Sequence, residues 1–194
     1  MKSLLSIGVP HVSVEAVRML YKIVTKESVV FEYGAGASTI FFARNAKLIY
    51  SVENIKEWYD KVKEELEYFG LTNCKITHCE QEQILEGEED KYKDYLSTTR
   101  IHKNCHFKKY ASKIDRFPDN YFDIILVDGR SRVACFLHAM SKVKPGGYIV
   151  LDDSHRNKYS KAVEAVSTWK AVEFEGHAYT IHYPQKTTIW QKPL

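Results

Sequence analysis

The chain has 194 residues, 44% hydrophobic and 27% charged, with a formal net charge of +3. That length fits a single domain with a real core, and the charge is too mild to point to nucleic acid by itself. No apolar run reaches membrane-spanning length, and the N-terminus lacks a long apolar stretch before a small-residue cleavage site, so no membrane role is expected. The four cysteines, Cys74, Cys79, Cys105 and Cys135, show no paired framework, and the chain reads as reduced and cytoplasmic.

In chain order, Val14, Val17, Leu20, Tyr21 and Val24 recur at helical spacing and predict an amphipathic helix over 12–24. Val29–Glu32 reads as a first strand, broken by Gly34 and Gly36, with a helix beyond. Leu48–Val52 is a second strand and Ile55–Phe69 a charged helix ended by Gly70. Lys75–His78 is a short third strand. Phe122–Val127 is a buried strand running into Asp128-Gly129, followed by a helix over 133–140. Pro145-Gly146-Gly147 turns into a strand over 148–151, and a helix lies around 159–169. Runs at 171–174 and 187–190 close the sheet as an antiparallel hairpin. Strands alternating with helices predict an α/β, doubly wound, mostly parallel sheet with ligands at its carboxyl ends.

The stretch Glu32-Tyr33-Gly34-Ala35-Gly36-Ala37-Ser38-Thr39 carries most of the functional information. Two glycines let the backbone pass close beneath a bound cofactor. Thr39 stands where a dinucleotide fingerprint has its third glycine, and Glu32 suits a cofactor carrying positive charge over a pyrophosphate. Glu53, ending the next strand, is placed to accept the hydroxyls of an adenosine ribose. With these residues the motif resembles the glycine-rich loop of class I S-adenosylmethionine-dependent methyltransferases, with Ser38 at the usual third glycine. Ser51-Val52-Glu53 is similar to their ribose motif, and Phe122–Arg130 and Lys144–Asp153 to their strand-four and strand-five motifs. The resemblance implies a Rossmann-like methyltransferase fold and S-adenosylmethionine held by Glu32, Tyr33, Gly34, Gly36, Ser38, Glu53, Asn54 and Asp128. Glu80 and Gln81 are candidates for the adenine contact.

Asp128, Asp152 and Asp153 follow the carboxyl ends of neighbouring strands and should converge. Such a cluster supplies a general base or binds Mg2+ or another hard divalent cation, and these positions resemble the metal-binding acids of catechol-type O-methyltransferases. Capping of the next helices is the plainer reading. Asp128, Asp152 and His155 are thus the catalytic candidates, and Asp128, Asp152 and Asp153 the metal candidates. The segment from about 80 to 116 is acidic at first and basic over Arg100–Lys109, and reads as a lid or as a solvated charged loop. Its basic half, with Arg130 and Arg132, suits an anionic acceptor such as a sugar nucleotide. The expected activity is transfer of a methyl group, O-directed, to a small molecule or sugar-type acceptor; a homo-oligomer is compatible with it. A catalytically silent, methyltransferase-like binding subunit and an NAD-dependent oxidoreductase are the alternatives.

Overall fold

The computed structural model describes residues 4–97, 103–179 and 184–194. A short helix α1 (Leu4–Ile7) and the amphipathic α2 (Val14–Ile23) lead into β1 (Val29–Tyr33), α3 (Ala37–Asn45), β2 (Leu48–Glu53), α4 (Lys56–Tyr68) and β3 (Cys74–His78). Ser13 caps α2 by accepting the Ala16 amide at 3.3 Å. The next stretch pairs β4 (Glu82–Gln83) with β5 (Cys105–His106) and adds a 3-10 turn over Glu89–Tyr95 and the single turn α5 (Lys108–Ala111). β6 (Phe122–Val127), α6 (Arg132–Lys142), β7 (Val143–Leu151), α7 (Ser160–Ala165), β8 (Lys170–Gly176) and β9 (Gln185–Gln191) complete the chain.

Seven strands form one sheet in the order β3-β2-β1-β6-β7-β9-β8. β1, β2, β3, β6 and β7 are parallel, and β9 lies antiparallel between β7 and β8. The predicted fold class is therefore the observed one. Strand order reverses between β1 and β6, so their carboxyl ends frame a crevice, the usual ligand position of an open α/β sheet.

Alternation along the strands feeds two cores. Val30, Ile49, Ile124, Leu126, Val150 and Ile189 pack against α1–α4 on one face. Phe31, Tyr33, Ile125, Val127, Leu151 and Trp190 pack against Phe107, Tyr110, Ile114 and Phe136 on the other. Among the described residues, no helix is long and apolar enough to cross a membrane.

Two expectations change. Pro145-Gly146-Gly147 does not precede a strand but bulges inside β7, where Phe122 faces Val143 while Ile124 already faces Tyr148. The segment 80–116 is not all cover: Phe107, Tyr110, Ala111 and Ile114 are fully buried under the sheet, and Tyr33 Oη donates to the Ala111 carbonyl at 2.5 Å. Aromatic side chains in that half are core, which a charge-based reading does not show.

Candidate active site

The crevice is built on the glycine turn after β1. Gly34 has φ +93°, a conformation that favours glycine, and a Cβ there would meet the Gly129 Cα at 2.8 Å. The turn is braced from below. The Gly36 amide donates to Thr39 Oγ1 at 2.8 Å, Thr39 Oγ1 donates to Glu32 Oε2 at 2.5 Å, and Ser51 Oγ donates to the same oxygen at 2.7 Å. Glu32 is fully buried and lines none of the described cavities, so it supports the turn and does not face a ligand. Burial pushes its carboxyl up to about 7 against the pull of the hydroxyls of Ser38, Thr39 and Ser51. Tyr33, expected at the cofactor, likewise turns into the core.

Glu53 sits at the cleft and organises its second wall. Its Oε2 accepts the Ala35 amide at 3.0 Å, and its Oε1 accepts the amides of Asn54 and Ile55 at 2.8 Å each. Burial raises the carboxyl and these amides hold it down. A cavity of about 260 Å3 is lined by Gly34, Glu53, Asn54, Trp58, Asp128 and Arg130. A second, of about 310 Å3, runs over Gly34–Ser38 to Leu5, Val9, His11 and Tyr179, sharing Gly34, Ala35, Trp58 and Asp128 with the first. The two are halves of one cleft. Trp58 Nε1 donates to the Ala35 carbonyl at 2.5 Å, and the residue lines both halves. Asn54 Nδ2 is buried without a hydrogen-bond partner among the described residues. Glu80 and Gln81 line neither cavity.

The three aspartates do converge, but on a guanidinium. Arg132 Nη2 lies 2.8 Å from Asp128 Oδ1, and Nη1 lies 3.4 Å from Asp152 Oδ2 and 3.5 Å from Asp153 Oδ2. Asp152 Oδ1 accepts from Thr187 at 2.9 Å, and Asp153 Oδ2 also meets Arg156 at 2.7 Å. The expected metal centre does not form among the described residues: the three carboxylates pair with Arg132 and Arg156, and no group of three that could hold a metal ion is found there. Burial lifts Asp128 and Asp152 above the ordinary range, while Arg132 works against that lift. Asp128 alone of the three lines the cleft. His155 is exposed and lines none of the described cavities, so its expected catalytic place is not formed.

A basin of about 390 Å3 adjoins the cleft across Gly129 and Arg130. Lys93, Arg130, Arg132, Arg156, Lys158 and Lys161 line it, with Asp94 the one carboxylate. Lys108 and Lys109, expected at an acceptor, lie elsewhere: Lys108 stands over the Tyr95 ring and Lys109 pairs with Glu82 at 2.8 Å. Arg100 lies outside the described residues.

No protein-family model matches the sequence, and no curated protein matches it. Solved structures do match, over nearly whole chains. A putative O-methyltransferase from Klebsiella pneumoniae superposes with a TM-score of 0.66 at 13% identity, covering 100% of this chain and 91% of its own. A putative methyltransferase from Streptococcus mutans, solved in complex with SAH, gives 0.60 at 12% identity over 98% and 99%. An rRNA methylase from Streptococcus thermophilus gives 0.61 at 13% over 91% and 93%. The chain has the class I methyltransferase fold.

Within that methyltransferase fold, the motifs marked the turn, Glu53 and Asp128, and missed what surrounds them. Trp58, on α4 and outside every motif, lines both halves of the cleft. Arg156, Lys158 and Lys161 form a basic run just past the strand-five motif, a further signal of the basin beside Arg130 and Arg132. Arg132, expected to meet an acceptor, lines the basin and also pairs with the aspartates.

Proposed function

We propose that the protein is an S-adenosylmethionine-dependent methyltransferase acting on a small-molecule acceptor by O-methylation. The observation that carries the reading is the divided cleft at the β1/β6 switch point, walled by Gly34–Ser38, Glu53, Asn54, Trp58 and Asp128. The donor set fits the cofactor. Glu53 stands ready for ribose hydroxyls, the unpartnered Asn54 amide offers a donor on the same side, and the glycine turn leaves room for backbone contact. The bound sulfonium supplies the methyl group.

The rest falls to the chain's own residues. Methyl transfer is an in-line displacement, so the protein chiefly aligns the acceptor and excludes water. Asp128 takes the acceptor hydroxyl proton; its burial strengthens it as a base, and Arg132 orients it. Asp152, held by Thr187, and Asp153, held by Arg156, act through Arg132 as positioning groups. Calorimetry tests the reading: S-adenosylhomocysteine binds and NAD does not compete. Tight NAD binding with no response to S-adenosylhomocysteine would sink it. Turnover that survives Asp128→Asn would remove the assignment of the base.

A further inference from the structure

Building on the methyltransferase reading, we infer that the basin between the Glu89–Tyr95 turn, the Gly129–Val133 corner and the Arg156–Lys161 turn holds the phosphate or diphosphate group of a small phosphorylated acceptor. The chain as a whole carries 28 basic and 25 acidic residues, yet this one cavity gathers six cations against one carboxylate. Cations crowded into a concave space repel one another, and their assembly is explained by an anion that joins them. Some are already engaged inside the protein: Arg132 with the aspartates, Arg156 with Asp153, and Lys161 with Asp94 at 2.6 Å. No ion pair joins Lys93 or Arg130 to a carboxylate among the described residues. Burial, with the guanidiniums of Arg156 and Arg132, pushes the Lys158 ammonium down, the repulsion that a bound anion would relieve.

Three separate elements contribute the charge, which suits a multiply charged group approached from several sides. The basin is also placed for the chemistry. Gly129 and Arg130 line both it and the cofactor cleft, so an acceptor anchored by its phosphate extends directly towards Asp128. A nucleic-acid backbone would call for a basic stripe across the surface, whereas these cations converge on about 390 Å3 in a chain of net charge +3.

The test is calorimetry on the full chain with inorganic diphosphate, with and without saturating S-adenosylhomocysteine. Diphosphate is expected to bind at low salt. The exposed pair Lys93→Gln/Lys158→Gln should weaken that binding by about tenfold or more, with S-adenosylhomocysteine affinity held within about twofold. The control pair Lys108→Gln/Lys109→Gln, outside the basin, should bind diphosphate like the wild type. If S-adenosylhomocysteine binds but diphosphate does not, or if the Lys93/Lys158 variant keeps wild-type diphosphate affinity, the inference falls and the methyltransferase reading stands. If neither ligand binds, both fall. An oligoribonucleotide that displaces diphosphate and binds far more tightly would overturn the small-acceptor assignment in favour of RNA.

Discussion

At the scale of single residues, Glu32 and Glu53 are the acidic groups of the stretches that resemble cofactor motifs, and the structure gives them different work. Glu32 is sealed beneath the turn with its carboxyl raised to about 7. The folded chain therefore keeps a proton that the unfolded chain releases above about 4.5. Its stabilising contribution is complete below that value and is lost as pH rises through about 7, on the order of 3 kcal/mol. Urea unfolding of the wild type at pH 5 and pH 8 should show this decline, and Glu32→Gln should flatten it; an equal slope in both proteins would remove Glu32 as the cause. Glu53 instead faces the cleft while fixing three backbone amides. Glu53→Ala should weaken S-adenosylhomocysteine binding by about 1.5–3 kcal/mol, read by calorimetry, because it removes a charge-assisted contact and loosens the wall that carries it. From sequence both glutamates were expected to touch the cofactor, Glu32 its positive charge and Glu53 its ribose. Which one faces the cavity depends on strand pleat and on the hydroxyls of Thr39 and Ser51, and neither is visible in a motif.

At the scale of elements, the first turn of α6 decides what the ends of β6 and β7 become. Arg132, one turn beyond Asp128, swings back over three carboxylates. Arg132→Leu leaves Asp128 and Asp152 without their cation, while Asp153 keeps Arg156, and should lower stability by about 3–5 kcal/mol. Because the carboxylates can take up protons, part of that loss should return at acidic pH, which chemical unfolding across pH would detect. A chelator should leave turnover unchanged; abolition by chelator and recovery with Mg2+ would reinstate the metal centre. The sequence showed that Asp128, Asp152 and Asp153 would meet, since strand order alone brings them together. It did not show what they meet, because a side chain's direction from a helix start is set by the left-handed Ser131 before it, at φ +47°. The inserted segment divides in the same way. Hydrogen exchange of the ligand-free protein should find 107–114 strongly protected and 84–97 open, with protection of the latter rising only when cofactor and acceptor are both present. Equal exposure of both halves would contradict the buried placement of Tyr110 and Ile114.

At the scale of the whole molecule, the alternation of strands and helices made the sheet legible, and the switch point followed from it. The basin did not, because its cations come from stretches far apart in sequence and meet only in the folded sheet. The order of the strands has one more consequence, for the time course of folding. β9 is inserted between β7 and β8 and pairs with both, yet it is made after either of them. A nascent chain that has not yet reached residues 185–191 thus carries two open strand edges, one of them on the parallel core, with nothing to join them. Such edges invite pairing with other chains, and closure by a distant strand is slow. Ile189 and Trp190, one on each face of the sheet, enter only at that closing step. Truncating either to Ala should therefore speed unfolding far more than it slows refolding in stopped-flow traces, marking the inserted strand as the last part of the protein to become native.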